Sequence, residues 1–76
     1  MIRELDTVAL TRDFDESGLR RGDVGAVLSR REDGAAFEVE FVAADGRTLA
    51  VLTLSGDDIR PLGGGDILHV RELAAA

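Results

Sequence analysis

The chain contains no cysteine, no lysine, no tryptophan and no tyrosine, and only one histidine and one proline. Without cysteine there is no disulfide and no thiolate metal site, which fits a reducing compartment. A lone histidine, His69, cannot build an ordinary zinc site without cysteine or further histidines. It reads as a structural or surface residue. No Ser/His/Asp constellation is forced by spacing, because Ser17, Ser29 and Ser55 fall where turns or strand edges account for them. With only three phenylalanines as aromatics, the chain has almost nothing on which nucleic-acid bases could stack. The longest apolar-rich run without a charge, TLAVLTL, is far too short to span a membrane. The opening MIRELDTVAL lacks the basic start and apolar run of a signal peptide. These absences predict a soluble, cytoplasmic protein with no catalytic residues, no cofactor, no metal and no evident small-molecule substrate.

What is present is a single small domain of 76 residues with a net charge of −6, fifteen acids facing nine bases, all of them arginine. A chain this short buries only ~60% of the surface it would expose unfolded. It needs an ideal core, a staple or a partner. The acidic balance argues against nucleic acid, whose binders draw affinity from neutralising phosphates. The all-arginine usage with abundant Ala, Gly and Asp matches a GC-rich genome, or a choice of arginine for bidentate pairing with carboxylates.

Along the chain, residues 6–14 alternate, with Val8, Leu10 and Phe14 on one parity, and read as a half-buried strand. DFDESG, 13–18, is a loop. Val24–Arg31 is a second strand, and Asp33-Gly34 a tight hairpin turn. Phe37, Val39 and Phe41 then alternate with Glu38 and Glu40 in the clearest strand, its aromatic side turned to a core and its acidic side to solvent. After the turn Ala44-Asp45-Gly46, Arg47–Leu54 is apolar on both parities. A bulge or bend explains that better than cover on both faces, for which so short a chain has little material. Ser55 with Asp58 three positions on predicts a capped 3₁₀ turn, followed by a short closing strand, Ile59–Leu62. Gly63-Gly64-Gly65 is a flexible break. Residues 66–73 form a further strand or a short helix capped by Asp66, with strand preferred, and the final three alanines are expected to fray. The sum is an all-β fold: a small SH3-like barrel of about five short antiparallel strands with a 3₁₀ turn before the last. The barrel covers 1–62. A glycine hinge and a C-terminal extension packing on the barrel or a partner cover 63–76.

The residues LDTVALTRDF, GLRRGDVGAVL and FEVEFVAADGRTLAVLTLSGDDIRPL together resemble a family of short bacterial proteins classed as a domain of unknown function. The resemblance covers about residues 5–62. More distantly, Val8-x-Leu10 followed by Gly18, Gly22 and Gly25-x-Val27 is similar to the KOW element of ribosomal and transcription-elongation proteins, itself an SH3-like barrel. Both resemblances imply fold more than function. Some members of the first family are encoded beside toxin-like reading frames, which implies an immunity or antitoxin role.

The glycines of GLRRGDVGAVLSR read as backbone devices and not as a phosphate cradle, because no helix follows them and no lysine is available. Gly18 and Gly22 would turn the chain, Asp23 would tie that turn through nearby amides, and Gly25 would allow a close approach. The remaining partner-facing candidates are Arg20, Arg21, Arg30 and Arg31, placed at opposite ends of the second strand, and the carboxylates Glu38 and Glu40. The expected function is a non-catalytic protein-interaction module, such as an immunity or antitoxin-type inhibitor that covers a basic enzyme cleft. The alternatives are a KOW-like RNA or ribosome-associated module acting through the four arginines, and an accessory subunit that adds an edge strand to a larger enzyme. A protein partner or self-association is expected, and nucleic acid and membrane are not.

Overall fold

The computed structural model describes residues 2–73. Five strands, β1 (Thr7–Leu10), β2 (Val24–Arg30), β3 (Phe37–Val42), β4 (Thr48–Leu54) and β5 (Ile59–Pro61), form one antiparallel sheet in the order β4-β3-β2-β1-β5. Short 3₁₀ turns lie at Asp15–Ser17 and Gly56–Asp58. Within residues 6–62 the expected strands are present with bounds within a residue or two, except the first.

Residues 11–14 do not continue β1 as their alternation suggested. Thr11 is drawn onto the second 3₁₀ turn instead. Its amide donates to the Asp58 carbonyl (2.8 Å) and its hydroxyl to the Asp57 carbonyl (2.6 Å). Phe14 then pairs with Leu19, its amide donating to the Leu19 carbonyl at 2.8 Å, and this bridge closes the loop around Asp15–Ser17. Backbone groups at the end of a strand must find partners, and here a turn 46 residues away supplies them.

The core is built from the inward parity of every strand. Val8, Leu10, Val27, Phe37, Val39, Phe41, Leu54 and Ile59 are buried together with Leu19 from the loop. Burial at ~25 cal/mol per Å² makes this cluster the main source of stability. The two-sided apolar pattern of the fourth strand resolves into a bulge. Phe41 pairs with Ala50 but Val42 pairs with Thr48, so Leu49 is an extra residue on β4. A second irregularity occurs where Val27 faces Val39 and Ser29 faces Glu38, which leaves Leu28 extra on β2. Bulges bend strands and increase twist, and both lie on the three strands that must curl around the core.

Gly25 shows how tight the curl is. A Cβ on it would stand 2.8 Å from Phe41 Cε2, 2.8 Å from Val39 Cγ1 and 2.9 Å from the Glu40 carbonyl oxygen. Only a residue without a side chain fits there. The second 3₁₀ turn carries the expected Ser55–Asp58 capping box, with the Ser55 amide donating to Asp58 Oδ2 at 3.1 Å. It delivers the chain from the sheet's outer strand β4 to β5 beside β1 at the other end of the strand order.

Residues 66–73 are neither the strand nor the helix that their pattern allowed; they run without regular structure. Among the described residues, none of 67–73 exchanges a backbone hydrogen bond with a strand. Side chains hold the segment instead, as described next. The three terminal alanines lie outside the described residues.

Candidate functional site

Three ion pairs stand out, and each fastens an element that the ladders do not hold. Arg12 Nε lies 3.0 Å from Asp58 Oδ1, and the same guanidinium covers the Phe14 ring, 4.0 Å from its centroid. The pair ties the loop after β1 to the second 3₁₀ turn. Arg60 on β5 reaches Asp66 through two nitrogens, at 3.0 and 3.1 Å, while Asp66 Oδ2 also accepts from the Gly63 amide at 2.6 Å. This closes the triple-glycine turn. Arg71 grips both oxygens of Asp23 and donates to the Gly18 carbonyl (2.9 Å). This pins the tail to the loop that precedes β2.

The electrostatics follow from these contacts. The Arg60 hydrogen bonds, then the Gly63 amide, hold the Asp66 carboxyl at about 2, below its ordinary 3.8. Burial pushes Asp23 upward, but the Arg71 and Arg20 hydrogen bonds and the charges of both arginines outweigh it, and its pKa is lowered. Asp58 has the same balance, with burial opposed by the Ser55 amide and hydroxyl and by Arg12, and it too is lowered. Each pair therefore favours the ionised carboxylate.

The predicted site residues fall in three places. Arg20 and Arg21 precede β2. Their amides are bound, to Asp23 Oδ2 and Asp13 Oδ1 at 2.8 Å each, and both residues are exposed. Arg30 and Arg31 stand at the far end of the same strand, where they line a shallow concavity with Arg3, Glu4 and Glu32. The four arginines thus form two groups separated by the length of β2. Glu38 and Glu40 share the outer face of β3, as their spacing required. Thr53 donates its hydroxyl to Glu38 Oε1 (2.7 Å) and Thr48 donates to Glu40 Oε2 (2.6 Å), both from the neighbouring β4.

Sequence reasoning passed over a second concavity. An open groove of about 1090 Å³ lies between the first 3₁₀ turn, the turn joining β3 to β4, and the tail. Its apolar wall includes Leu19, Phe41, Val42, Leu49, Val70 and Leu73. Leu73 packs against the core and would lie 3.3 Å from a Cβ on Gly18, a residue at φ +71°. The groove could not be read from spacing because its walls come from three segments far apart in the chain, and one wall is fastened by the Arg71–Asp23 pair. Of its lining, Gly18 and Asp23 were visible only as turn residues, Asp23 tying its turn through the Arg20 amide.

Strand order, bulged central strands and a 3₁₀ turn leading into the last strand define a small SH3-like β-barrel with a side-chain-fastened tail. The chain belongs to the domain of unknown function family DUF4926, whose model matches residues 4–61. No curated protein and no solved structure matches it. The family match thus takes in all five strands and stops before the tail.

Proposed function

We propose that this chain is a non-catalytic protein-interaction module of the bacterial cytoplasm that covers a basic site on a partner protein, in the manner of an immunity or antitoxin protein. The observation that carries this is the acidic outer face of β3 beside an open sheet edge. Glu38 and Glu40 are held side by side by Thr53 and Thr48, and β4, which supplies those threonines, is the outermost strand. An edge strand offers unpaired backbone groups to a partner. Fixed carboxylates beside it select a basic one, and a net charge of −6 steers that partner in.

The test is recovery of a partner from the native host on the tagged full chain, washed at low and at high salt. A basic protein retained at low salt, weakened by high salt and weakened further by Glu38→Gln with Glu40→Gln supports the reading. Recovery of no protein, or of one indifferent to salt and to both substitutions, overturns it.

A further inference from the structure

The tail and the outer edge of β4 are two loose ends that fit one another. Ile67, Leu68 and Val70 are 91%, 71% and 92% exposed, although they lie between two fastened points. Asp66 is clamped by Arg60 before them, and Arg71 is clamped on Asp23 and Gly18 after them. The clamps hold this four-residue span against the barrel without burying it. None of its backbone groups is paired with a strand among the described residues. On the other side of the groove, β4 ends the strand order, so one side of its backbone faces no strand. Val51 on β4 and Val42 on the adjoining β3 are each about half exposed. Apolar side chains on an unpaired segment, and an unpaired edge with apolar side chains beside it, are each what a strand-addition contact consumes.

We infer that two copies of this chain associate about a two-fold axis, with residues 67–70 of each laid along β4 of the other. A two-fold interface must carry donor and acceptor on the same patch of one molecule. The groove meets this condition, because Leu49 and Arg47 form one wall while Val70 and Glu72 form the opposite wall. The charges are self-complementary as well. The exchange brings Glu72 of each tail toward Arg47 at the start of the other copy's β4. Three apolar side chains bury roughly 300 Å² at ~100 Å² each. With a comparable area covered on β4, and both halves counted twice, the pair buries roughly 1,200 Å², the lower end of a specific interface. The dimer is therefore weak, and its two like-charged halves repel at long range. Salt screens that repulsion, so salt strengthens this dimer, whereas it weakens the basic-partner contact proposed above. Both contacts use the β4 edge, so they compete for it, and their opposite responses to salt tell them apart.

Sedimentation equilibrium of the full chain across concentration and salt tests the inference. A mass of twice 8.1 kDa is expected at high concentration, with the dimer fraction rising with salt. Leu68→Asp is expected to weaken association roughly tenfold or more, as loss of a central apolar contact does. It changes an exposed side chain outside the core, and an unchanged circular dichroism spectrum confirms that the barrel is intact. Arg47→Glu is expected to weaken association, and the double variant Arg47→Glu with Glu72→Arg to restore it. A chain that stays monomeric at every concentration and salt overturns the inference. So does a dimer indifferent to Leu68→Asp, or a tail that binds only a different protein.

Discussion

Val39 and Val70 are the same side chain in opposite circumstances. Val39 lies at the centre of β3, paired through its backbone to Val27 on one side and to Leu52 on the other, and no part of it reaches solvent. Val70 lies in a segment just as apolar, with no ladder on either side, and is almost fully exposed. Hydrophobicity alone does not bury a residue in a chain this small; backbone pairing turns it inward, a ladder at Val39 and the bridge to Phe14 at Leu19. The barrel is held by apolar area organised by ladders, the tail by two arginine–aspartate clamps. The largest test of this contrast removes one side chain from each region. Phe41→Ala is expected to cost about 3–5 kcal/mol in urea denaturation, the range for a buried aromatic, which is most of the stability of a domain this size. Val70→Ala is expected to shift the same transition by less than about 0.5 kcal/mol. Equal losses would mean that the tail is part of the barrel's cooperative unit.

Glycines repeat the contrast at smaller amplitude. Gly25 has three atoms within 3 Å of where its Cβ would stand, two of them on Val39 and Phe41 and one on the backbone, while Gly64 and Gly65 have nothing within 4 Å. The backbone oxygen cannot swing aside as a side-chain end can. Gly25→Ala is expected to destabilise by about 1–3 kcal/mol through overpacking. Gly65→Ala is expected to leave the midpoint unchanged or slightly raised, because it restricts the unfolded chain. Thermal or urea unfolding of the two variants side by side decides the matter.

The same division runs through what could be read from the residues. Alternation of Phe37, Val39 and Phe41, the Asp-Gly turns and the Ser55–Asp58 cap are local signals, and each was enough to place its element. The two-sided apolar run of the fourth strand signalled a bulge, and Leu49 is its extra residue. Residues 11–14 and 66–73 misled for one reason. Their patterns are local, but their conformations are set by Asp57, Asp58, Asp23 and Gly18, far away in the chain. Arg71 and Asp23 are 48 positions apart, and no local rule pairs them. The arginines singled out as doublets, Arg20-Arg21 and Arg30-Arg31, are conspicuous in sequence. The arginines that fasten the loop and the tail are the isolated ones, Arg12, Arg60 and Arg71.

The smallest effect on stability, and the one most specific to the tail, comes from pH. Asp66 ionises at about 2 in the folded chain against an ordinary 3.8, and Asp23 is lowered as well. A carboxyl whose folded pKa is depressed contributes stability that is present above its unfolded pKa and lost as pH falls through its folded one. Both clamps are therefore intact at neutral pH and loosen below about pH 4, with the Asp66 clamp half protonated at about 2. Asp58 is also lowered and sits on the barrel side, so global stability falls over the same window and cannot by itself report on the tail. The methyl resonances of Leu73 can, because Leu73 packs against the core two positions after Arg71, which holds Asp23. They are expected to move toward unfolded positions below pH 4 while Val39 and Val27 stay in place. Arg71→Ala is expected to produce the released Leu73 spectrum already at neutral pH, with a change in barrel stability under about 1 kcal/mol, as for an ion pair near the surface. If Leu73 in that variant kept its native shifts, the clamp would not be what holds the tail.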